Sequence, residues 1–194
     1  MMRGLGLRLA VLAGLSVMDL APVQAVDLHK SRLTSIELKK CRQISNHKDG
    51  GAWICAGLRG YPVYVAEGDL RHMLAFGRQP QKRMSATQTL GAFNSVFQDK
   101  QRPTIEWRVE QAANGRIVPF ATIVRFHTSR EGQTGDVLVI TKVDAKQSCQ
   151  LAVIDARANA DAMVTARTWA NAEAKKRSCP ERPEVLGMPG KGPM

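Results

Sequence analysis

The sequence predicts an α+β fold, in which an antiparallel β-sheet is packed by a C-terminal helix and held by two disulfides. The expected sheet is a meander of about four strands together with an N-terminal hairpin. Apolar and polar residues alternate along several short segments, as they do in strands that bury one face. One long segment near the C-terminus has helical spacing of small apolar residues. The chain also contains 4 cysteines, an even number that is typical of disulfide-bonded exported proteins.

The first 25 residues have the features of a secretory signal peptide. Arg3 and Arg8 precede an apolar stretch at residues 9–17. A small-residue cleavage motif follows at residues 23–25. The apolar stretch is too short to span a membrane, which takes about 20 residues. We therefore expect cleavage after Ala25, export to the periplasm or the medium, and no transmembrane span in the rest of the chain.

The composition is strongly basic. There are 28 lysines and arginines against 17 aspartates and glutamates, which gives a formal net charge of +11. Such a charge attracts anionic partners in a salt-dependent way. Because export separates the protein from nucleic acid, the expected partners are phospholipid headgroups, lipopolysaccharide, cell-wall polymers or acidic proteins. The basic residues are scattered along the chain, which favours a generally basic surface over a dedicated patch.

The N-terminal part predicts a hairpin, a third strand and a short helix. The segments "LTSIELKKC" and "AWIC" flank the turn signal "SNHKDGG", so residues 33–41 and 52–55 are the expected hairpin strands. The segment "YPVYVAEG", residues 61–68, predicts the third strand. Asp69 is the expected N-cap of a helix over "DLRHMLAFG", with His72 on its solvent side. Residues 78–100 show no sustained period.

The central part predicts the meander. Residues 104–110, "TIEWRVE", alternate strictly, which places Trp107 on the core face and Glu106 and Arg108 on the solvent face. The following strands are expected at residues 117–129, 136–143 and 149–156.

The C-terminal part predicts a helix and a tail. The helix is expected over residues 160–177, with Asn159 as N-cap and with Ala166 and Ala170 on the sheet. The Pro- and Gly-rich residues 180–194 have little to bury and predict a disordered tail. The expected organisation is thus a signal peptide at 1–25, one domain at 26–179 and a tail at 180–194.

The cysteines predict two disulfides. Four cysteines allow three connectivities, and we expect Cys41–Cys55 and Cys149–Cys179 because each pair flanks one compact unit. A metal site is the alternative, because His47 lies between the first two cysteines. The ligand spacing of known metal motifs is missing, however, so we expect neither a metal nor a cofactor.

No pattern of a catalytic site is present, and we do not expect an enzyme. Glu67 and Asp69 could serve a glycan or cell-wall hydrolase, which needs two carboxyl groups facing one bond. Asp69 is already accounted for as a helix cap. The leading expectation is a non-enzymatic exported protein that binds an anionic envelope component or a protein partner, and the hydrolase is the alternative.

A binding surface is expected in the segment "GLRGYPVY" and the nearby Trp53. Trp53, Tyr61 and Tyr64 could form a stacking platform for a sugar or a peptide, beside Arg59. Packing within the fold is the other interpretation of these aromatic residues. In residues 57–64 the two glycines, Arg59 and the two tyrosines have no evident structural duty, so a binding surface is expected there first.

Several segments resemble known proteins. "SIELKKC", "GGAWICAGLRGYPVYVAEGDLR", "ATQTLGAFN" and "TIEWRV" resemble an uncharacterised group of small exported bacterial proteins of proteobacterial type, over most of residues 35–179. The general layout and the segment "SCQLAVIDA" also resemble exported proteins of the invasion-associated locus B type, which are small, signal-bearing and cysteine-paired. The resemblance implies an exported disulfide-bonded protein, and it implies no activity or catalytic residue.

Overall fold

The computed structural model describes residues 30–98 and 102–194, so the predicted signal peptide lies outside the described residues. The strands are β1 (Lys30–Ser35), β2 (Arg42–His47), β3 (Gly50–Leu58), β4 (Tyr61–Gly68), β5 (Arg71–Phe76), β6 (Phe93–Ser95), β7 (Thr104–Gln111), β8 (Ile117–Arg130), β9 (Gln133–Val143), β10 (Ser148–Asp155) and β11 (Glu184–Val185). The helix α1 spans Ala162–Glu173, and short 3-10 turns lie at Leu38–Lys40, Pro80–Lys82 and Met84–Ala86. In this part of the chain no helix is long and apolar enough to cross a membrane.

The strands form two sheets rather than one. The larger sheet has the order β1-β7-β8-β9-β10-β11, with β6 beside the end of β8, and the smaller sheet has the order β2-β3-β4-β5. All neighbours are antiparallel except β10 and β11. The predicted α+β class and the four-stranded meander, β7 to β10, are confirmed. The predicted hairpin belongs to the separate smaller sheet.

Two apolar clusters hold the layers together. The first lies between the sheets, where Phe76 of the smaller sheet meets Trp107 of the larger one edge-on at 5.5 Å between ring centroids. The second lies between the larger sheet and α1, where Ile123 and Ile140 pack against Ala166 and Ala170. The larger sheet is therefore covered on both faces, which explains why β10 is buried at every position.

The predicted helix that begins at Asp69 is wrong, because this segment forms β5 instead. Asp69 and Leu70 form the turn between β4 and β5, with φ of 51° and 58°, and Asp69 caps no helix. Leu74 and Phe76 point into the core at a spacing of two, which is the strand period. His72 shares their face, so it is buried and does not lie on a solvent side.

The predicted exposure of Glu106 and Arg108 is also wrong. Glu106 is 4% exposed and Arg108 is 3% exposed, because α1 covers the face of β7 that carries them. Arg167 of α1 makes two hydrogen bonds to the Glu106 carboxylate, both 2.8 Å long, and the Ser31 hydroxyl donates a third of 2.6 Å. The Arg108 guanidinium donates to Oδ1 of Asn171 at 2.9 Å. The alternating pattern correctly placed these two residues on the face opposite to Trp107, but it could not show that a helix covers this face.

The two predicted disulfides are confirmed. Cys41 and Cys55 are joined with their Cα atoms 4.4 Å apart, and Cys149 and Cys179 with theirs 5.8 Å apart. The first strand differs from the prediction: β1 ends at Ser35 and pairs with β7, and the partner of β3 is the later strand β2. Trp107 contributes to this arrangement, because its indole N–H donates to the Thr34 hydroxyl at 2.8 Å.

The C-terminal part differs from the prediction in two respects. The helix is shorter and follows Asp161, while the Asn159 side chain exchanges two hydrogen bonds of 2.9 Å with the backbone of Met188. The segment expected to be disordered is packed on the domain, since β11 extends the larger sheet and Leu186 is buried in the second cluster. The tail is rich in Pro and Gly, but its Leu186 and Met194 side chains pack against the two apolar clusters and hold it on the domain.

Candidate functional site

The two sheets bring several loops together at one end of the molecule. The Phe76 N–H at the end of β5 donates to the Ser148 hydroxyl at the start of β10, 3.4 Å away. A Cβ atom on the next residue, Gly77, would lie 4.0 Å from the backbone oxygen of Asp144. The loop that follows β5 therefore lies against the β9–β10 turn.

Arg83 joins these two loops. Its guanidinium donates to the carbonyl oxygen of Arg78 at 2.9 Å, to that of Ala145 at 3.0 Å, and also to that of Lys146. Carbonyl oxygens satisfy the donors of Arg83 without cancelling its charge, since they are neutral. The fold thus fixes one positive charge between two loops that carry three further basic residues, Arg78, Lys82 and Lys146.

The C-terminal end of α1 lies at the same end of the sheets. The Lys142 ammonium donates to the carbonyl oxygens of Lys175 and Arg177, at 3.3 and 2.7 Å. A cation at this position satisfies carbonyls that a helix end leaves unpaired and is favoured by the helix dipole. The Cys149–Cys179 disulfide holds the same segment against β10. The basic run at residues 175–177 is therefore anchored beside the β9–β10 turn.

Two further turns and the start of β1 also lie here. The Gly77 N–H donates to the Pro62 carbonyl at 3.1 Å, which places the β3–β4 turn and Arg59 beside the loop after β5. The β7–β8 turn with Arg116 lies here too, because Ala121 pairs with Lys142. We call this surface the basic end. Its basic residues are Lys30, Arg59, Arg78, Lys82, Arg83, Arg116, Lys142, Lys146, Lys175, Lys176 and Arg177.

Few acidic residues lie at the basic end. Glu110 pairs with Lys175 at 2.6 Å, Asp144 with Lys142 at 3.8 Å, and Arg177 with both Glu173 at 3.0 Å and Glu184 at 3.4 Å. Within the described residues the other basic side chains of this end have no carboxylate partner, and these are Lys30, Arg59, Arg78, Lys82, Arg83, Arg116, Lys146 and Lys176. The turns at the opposite end of the sheets each carry an acidic residue, namely Asp49, Asp69 and Glu131. Charge is therefore unevenly distributed between the two ends.

The four residues predicted for binding do not share one surface. Arg59 is exposed at the tip of its turn on the basic end, and Tyr61 follows it, half-buried against the core between the sheets. Trp53 packs against the same core. Tyr64 lies on the other face of the smaller sheet, in a cross-strand row with Ile54. Arg59 and Tyr61 are thus neighbours at the β3–β4 turn, Trp53 shares the core face with Tyr61, and Tyr64 lies on the opposite face.

The glycines of the same segment have structural duties that the sequence did not reveal. A Cβ atom on Gly57 would lie 2.4 Å from the Tyr61 carbonyl oxygen and 2.9 Å from the Trp107 ring, so only glycine allows this close approach. Gly60 has a φ of 80° in the turn that presents Arg59. Both glycines therefore shape the β3–β4 hairpin.

The two carboxyl groups considered for hydrolysis lie in different settings. Asp69 is in the exposed β4–β5 turn and forms an ion pair with Arg71. Glu67 lies opposite His72 across the β4–β5 pair and lines a hollow between the sheets. Both are at the end of the molecule opposite to the basic end. Within the described residues no group of three or more His, Cys, Asp or Glu is placed to hold a metal ion.

Sequence reasoning missed the convergence of the basic loops, although one signal pointed to it. Lys146 precedes Cys149 by three residues, and the run 175–177 precedes Cys179. The predicted Cys149–Cys179 pairing already implied that these basic segments are neighbours. The contributions of Arg59, Arg78 and Lys82 depend on how the two sheets face each other, which local pattern does not reveal.

The fold and the site together define a disulfide-bonded α+β protein of two packed sheets with a basic end. No protein-family model matches the chain, and neither does any curated protein or solved structure.

Proposed function

We propose that this protein is a non-enzymatic exported protein that binds an anionic component of the cell envelope through its basic end. One observation carries the proposal: loops that are distant in sequence bring basic side chains to one end, where few carboxylates lie. Arg83 supports it in particular, because carbonyl oxygens hold its charge in place between two of these loops.

The arrangement suits an extended anionic surface better than a single small anion. The basic side chains without a carboxylate partner project from separate loops, and Arg59, Arg78, Lys82 and Lys146 are all exposed. An anionic bilayer attracts each nearby Lys or Arg with about 1 kcal/mol. Such attraction sums over many contacts and weakens within about 10 Å at 0.1 M salt. A sheet of lipid phosphates or a polyanionic envelope polymer offers the required number of contacts.

Vesicle sedimentation tests the proposal. The mature protein is mixed with phosphatidylglycerol vesicles or with neutral phosphatidylcholine vesicles, and the bound fraction is measured from low to high salt. The basic-end variant replaces four exposed side chains by glutamine, at Arg59, Arg78, Lys82 and Lys146. The matched control replaces four exposed basic side chains elsewhere, at Arg32, Lys48, Arg125 and Arg130. Both variants lose the same net charge.

The expected result is salt-sensitive binding to the anionic vesicles only. At about 1 kcal/mol for each basic residue, the basic-end variant loses about 4 kcal/mol, or roughly a thousandfold in partition at low salt. The control variant is expected to lose far less. Equal losses in the two variants would mean that net charge alone drives binding and would contradict the basic end. Binding to polyglutamate but not to vesicles would point to an acidic protein partner instead.

A further inference from the structure

A second site, independent of the basic end, lies in a hollow between the sheets at the opposite end. The hollow has a volume of about 540 Å³ and lies where the β4–β5 hairpin faces β6 and the end of β8. Its lining includes Glu67, Leu70, His72, Phe93 and His127. We call it the His72 hollow.

His72 presents a hydrogen-bond acceptor to this hollow. Its Nδ1 lies 3.3 Å from the Asn94 carbonyl oxygen, and because a carbonyl can only accept, Nδ1 carries the proton. Burial lowers the pKa of His72, although the bond to Asn94 and the Glu67 carboxylate act in the opposite direction. The ring is thus neutral at pH 7, and its Nε2 holds a lone pair. His72 is only 6% exposed, and the Phe97 ring packs edge-on against it. Within the part of the chain that the structure describes, the ring makes its hydrogen bond through Nδ1 and none through Nε2.

His127 lies on the other face of the larger sheet, the face that carries Ile123 and Ile140. Its Nδ1 donates to the Asp136 carboxylate at 2.6 Å, and the other oxygen of that carboxylate accepts from Nε of Arg157 at 2.8 Å. Arg157 also donates to the backbone and side-chain oxygens of Thr134, at 2.7 and 2.9 Å. The positive charge of Arg157 is therefore held by Asp136. His127 and His72 therefore do not converge on one ligand.

Two apolar side chains stand at the mouth of the hollow. Leu70 is 66% exposed and Phe93 is 40% exposed. Leu70 and its neighbour Asp69 both have left-handed backbone conformations, which cost about 1 kcal/mol or more at a residue other than glycine. Glycine is the usual residue at this position of a tight hairpin turn. The chain therefore keeps an exposed leucine at a position where glycine would be more stable, and such strain is typical of a functional role.

We propose that the His72 hollow binds a primary ammonium group carried on a short apolar chain, such as an alkylamine or a lysine side chain. The ammonium has three donors and no acceptor, which matches the imidazole acceptor of His72 and the Glu67 carboxylate opposite it. Glu67 supplies the opposite charge, since it has no ion-pair partner among the described residues. Leu70 and Phe93 contact the methylene groups. Arg71 does not compete for Glu67, because it pairs with Asp69 and stacks on the Phe93 ring at 4.9 Å.

Nuclear magnetic resonance of histidine-labelled protein tests this proposal. The ring nitrogen signals of His72 and His127 are followed during titration with n-butylammonium, n-butanol or butyrate. The expected result is that butylammonium shifts the Nε2 signal of His72 and leaves that of His127 nearly unchanged, whereas butanol and butyrate shift neither at equal concentration. Equal shifts with butanol, or no shift with butylammonium, would overturn the proposal. The peptide Gly-Lys-Gly extends the test to a polypeptide source: if it binds as well, the hollow accepts a lysine side chain, and if it does not, the hollow is assigned to free amines.

Two substitutions and one control variant sharpen the test. Glu67→Gln keeps the shape of the side chain and removes its charge, so it is expected to weaken butylammonium binding by about 10- to 100-fold. Glu131→Gln, in another turn at the same end, is the matched control and is expected to leave binding unchanged. Leu70→Gly is expected to raise the melting temperature while weakening binding several-fold. If Glu67→Gln and Glu131→Gln reduce binding equally, the hollow is not the site.

Discussion

The buried carboxylate of Glu106 allows a sharp prediction about how α1 is held on the larger sheet. Glu106→Gln removes the negative charge that faces two arginines, at 2.8 Å from Arg167 and 3.3 Å from Arg108. Arg167 has nearly half of its side chain exposed and can turn to water, whereas Arg108 stays buried. Removing one partner of a buried ion pair costs about 3–5 kcal/mol. Since Arg167 can be rehydrated and Arg108 keeps its hydrogen bonds to Asn171, we expect the lower limit, about 3 kcal/mol, or roughly 6–12 °C in melting temperature.

The assay is urea unfolding, with Glu110→Gln as the control. Glu110 forms an ion pair with Lys175 in which both side chains are about two-fifths exposed, and exposed pairs of this kind contribute about 1 kcal/mol or less. Equal losses in the two variants would refute the account of a buried network beneath α1.

The same network predicts a pH dependence. Burial alone raises the pKa of Glu106, but the hydrogen bonds from Arg167 and Ser31 and the two arginine charges lower it below the ordinary value of 4.5. A carboxyl whose pKa is lower in the folded state stabilises the fold above its unfolded pKa, and this stabilisation is lost as the pH falls towards the folded pKa. We therefore expect the free energy of unfolding to decline below about pH 4.5. This decline should be smaller in Glu106→Gln.

Three other predictions concern stability. Thr122→Val removes a hydroxyl that is buried without a hydrogen bond in the described structure, so it should stabilise the protein by up to about 1 kcal/mol in urea unfolding. A lower free energy of unfolding would instead indicate that the hydroxyl has a hydrogen-bond partner. Replacing Cys149 and Cys179 by serine opens a loop with a sequence separation of 30 and should cost roughly 3–4 kcal/mol, measured in the same way. Because the folded pKa of His72 lies below the ordinary 6.5, stability should decrease as the pH falls below about 6.5, and His72→Gln should flatten this part of the curve. An unchanged slope in His72→Gln would assign the decrease to other groups.

Much of the fold could be predicted from local pattern. Strict alternation in residues 104–110 placed Trp107 in the core, and the disulfide pairing followed from the units that the cysteines flank. The segment at residues 71–76 was predicted as a helix because Leu70, Met73 and Leu74 share a helical face. Its pairing with β4, which makes it a strand, does not show in the spacing of its own residues. The Asp69–Leu70 turn was hard to predict, because Asp is common in left-handed backbone but Leu is not.

The candidate site was harder to predict than the fold. Arg59 was expected at a binding surface from its setting in the glycine-flanked turn. The other members of the basic end looked scattered in sequence, and only the packing of the two sheets brings the loop with Lys82 beside the turn with Lys146. Solvent-side positions such as Glu106 were misjudged for the same reason, because a face that alternates in sequence can still be covered by a distant helix.

The central claim is that the basic end faces an anionic surface, and a measurement that locates this contact tests it most directly. Phosphatidylglycerol bicelles that carry a spin-labelled lipid broaden the amide signals of the residues nearest to the headgroups. We predict strong broadening in the loops of Arg59, Lys82 and Lys146, and little in the opposite turns of Asp49 and Glu131. Uniform broadening, or stronger broadening in the opposite turns, would contradict the account.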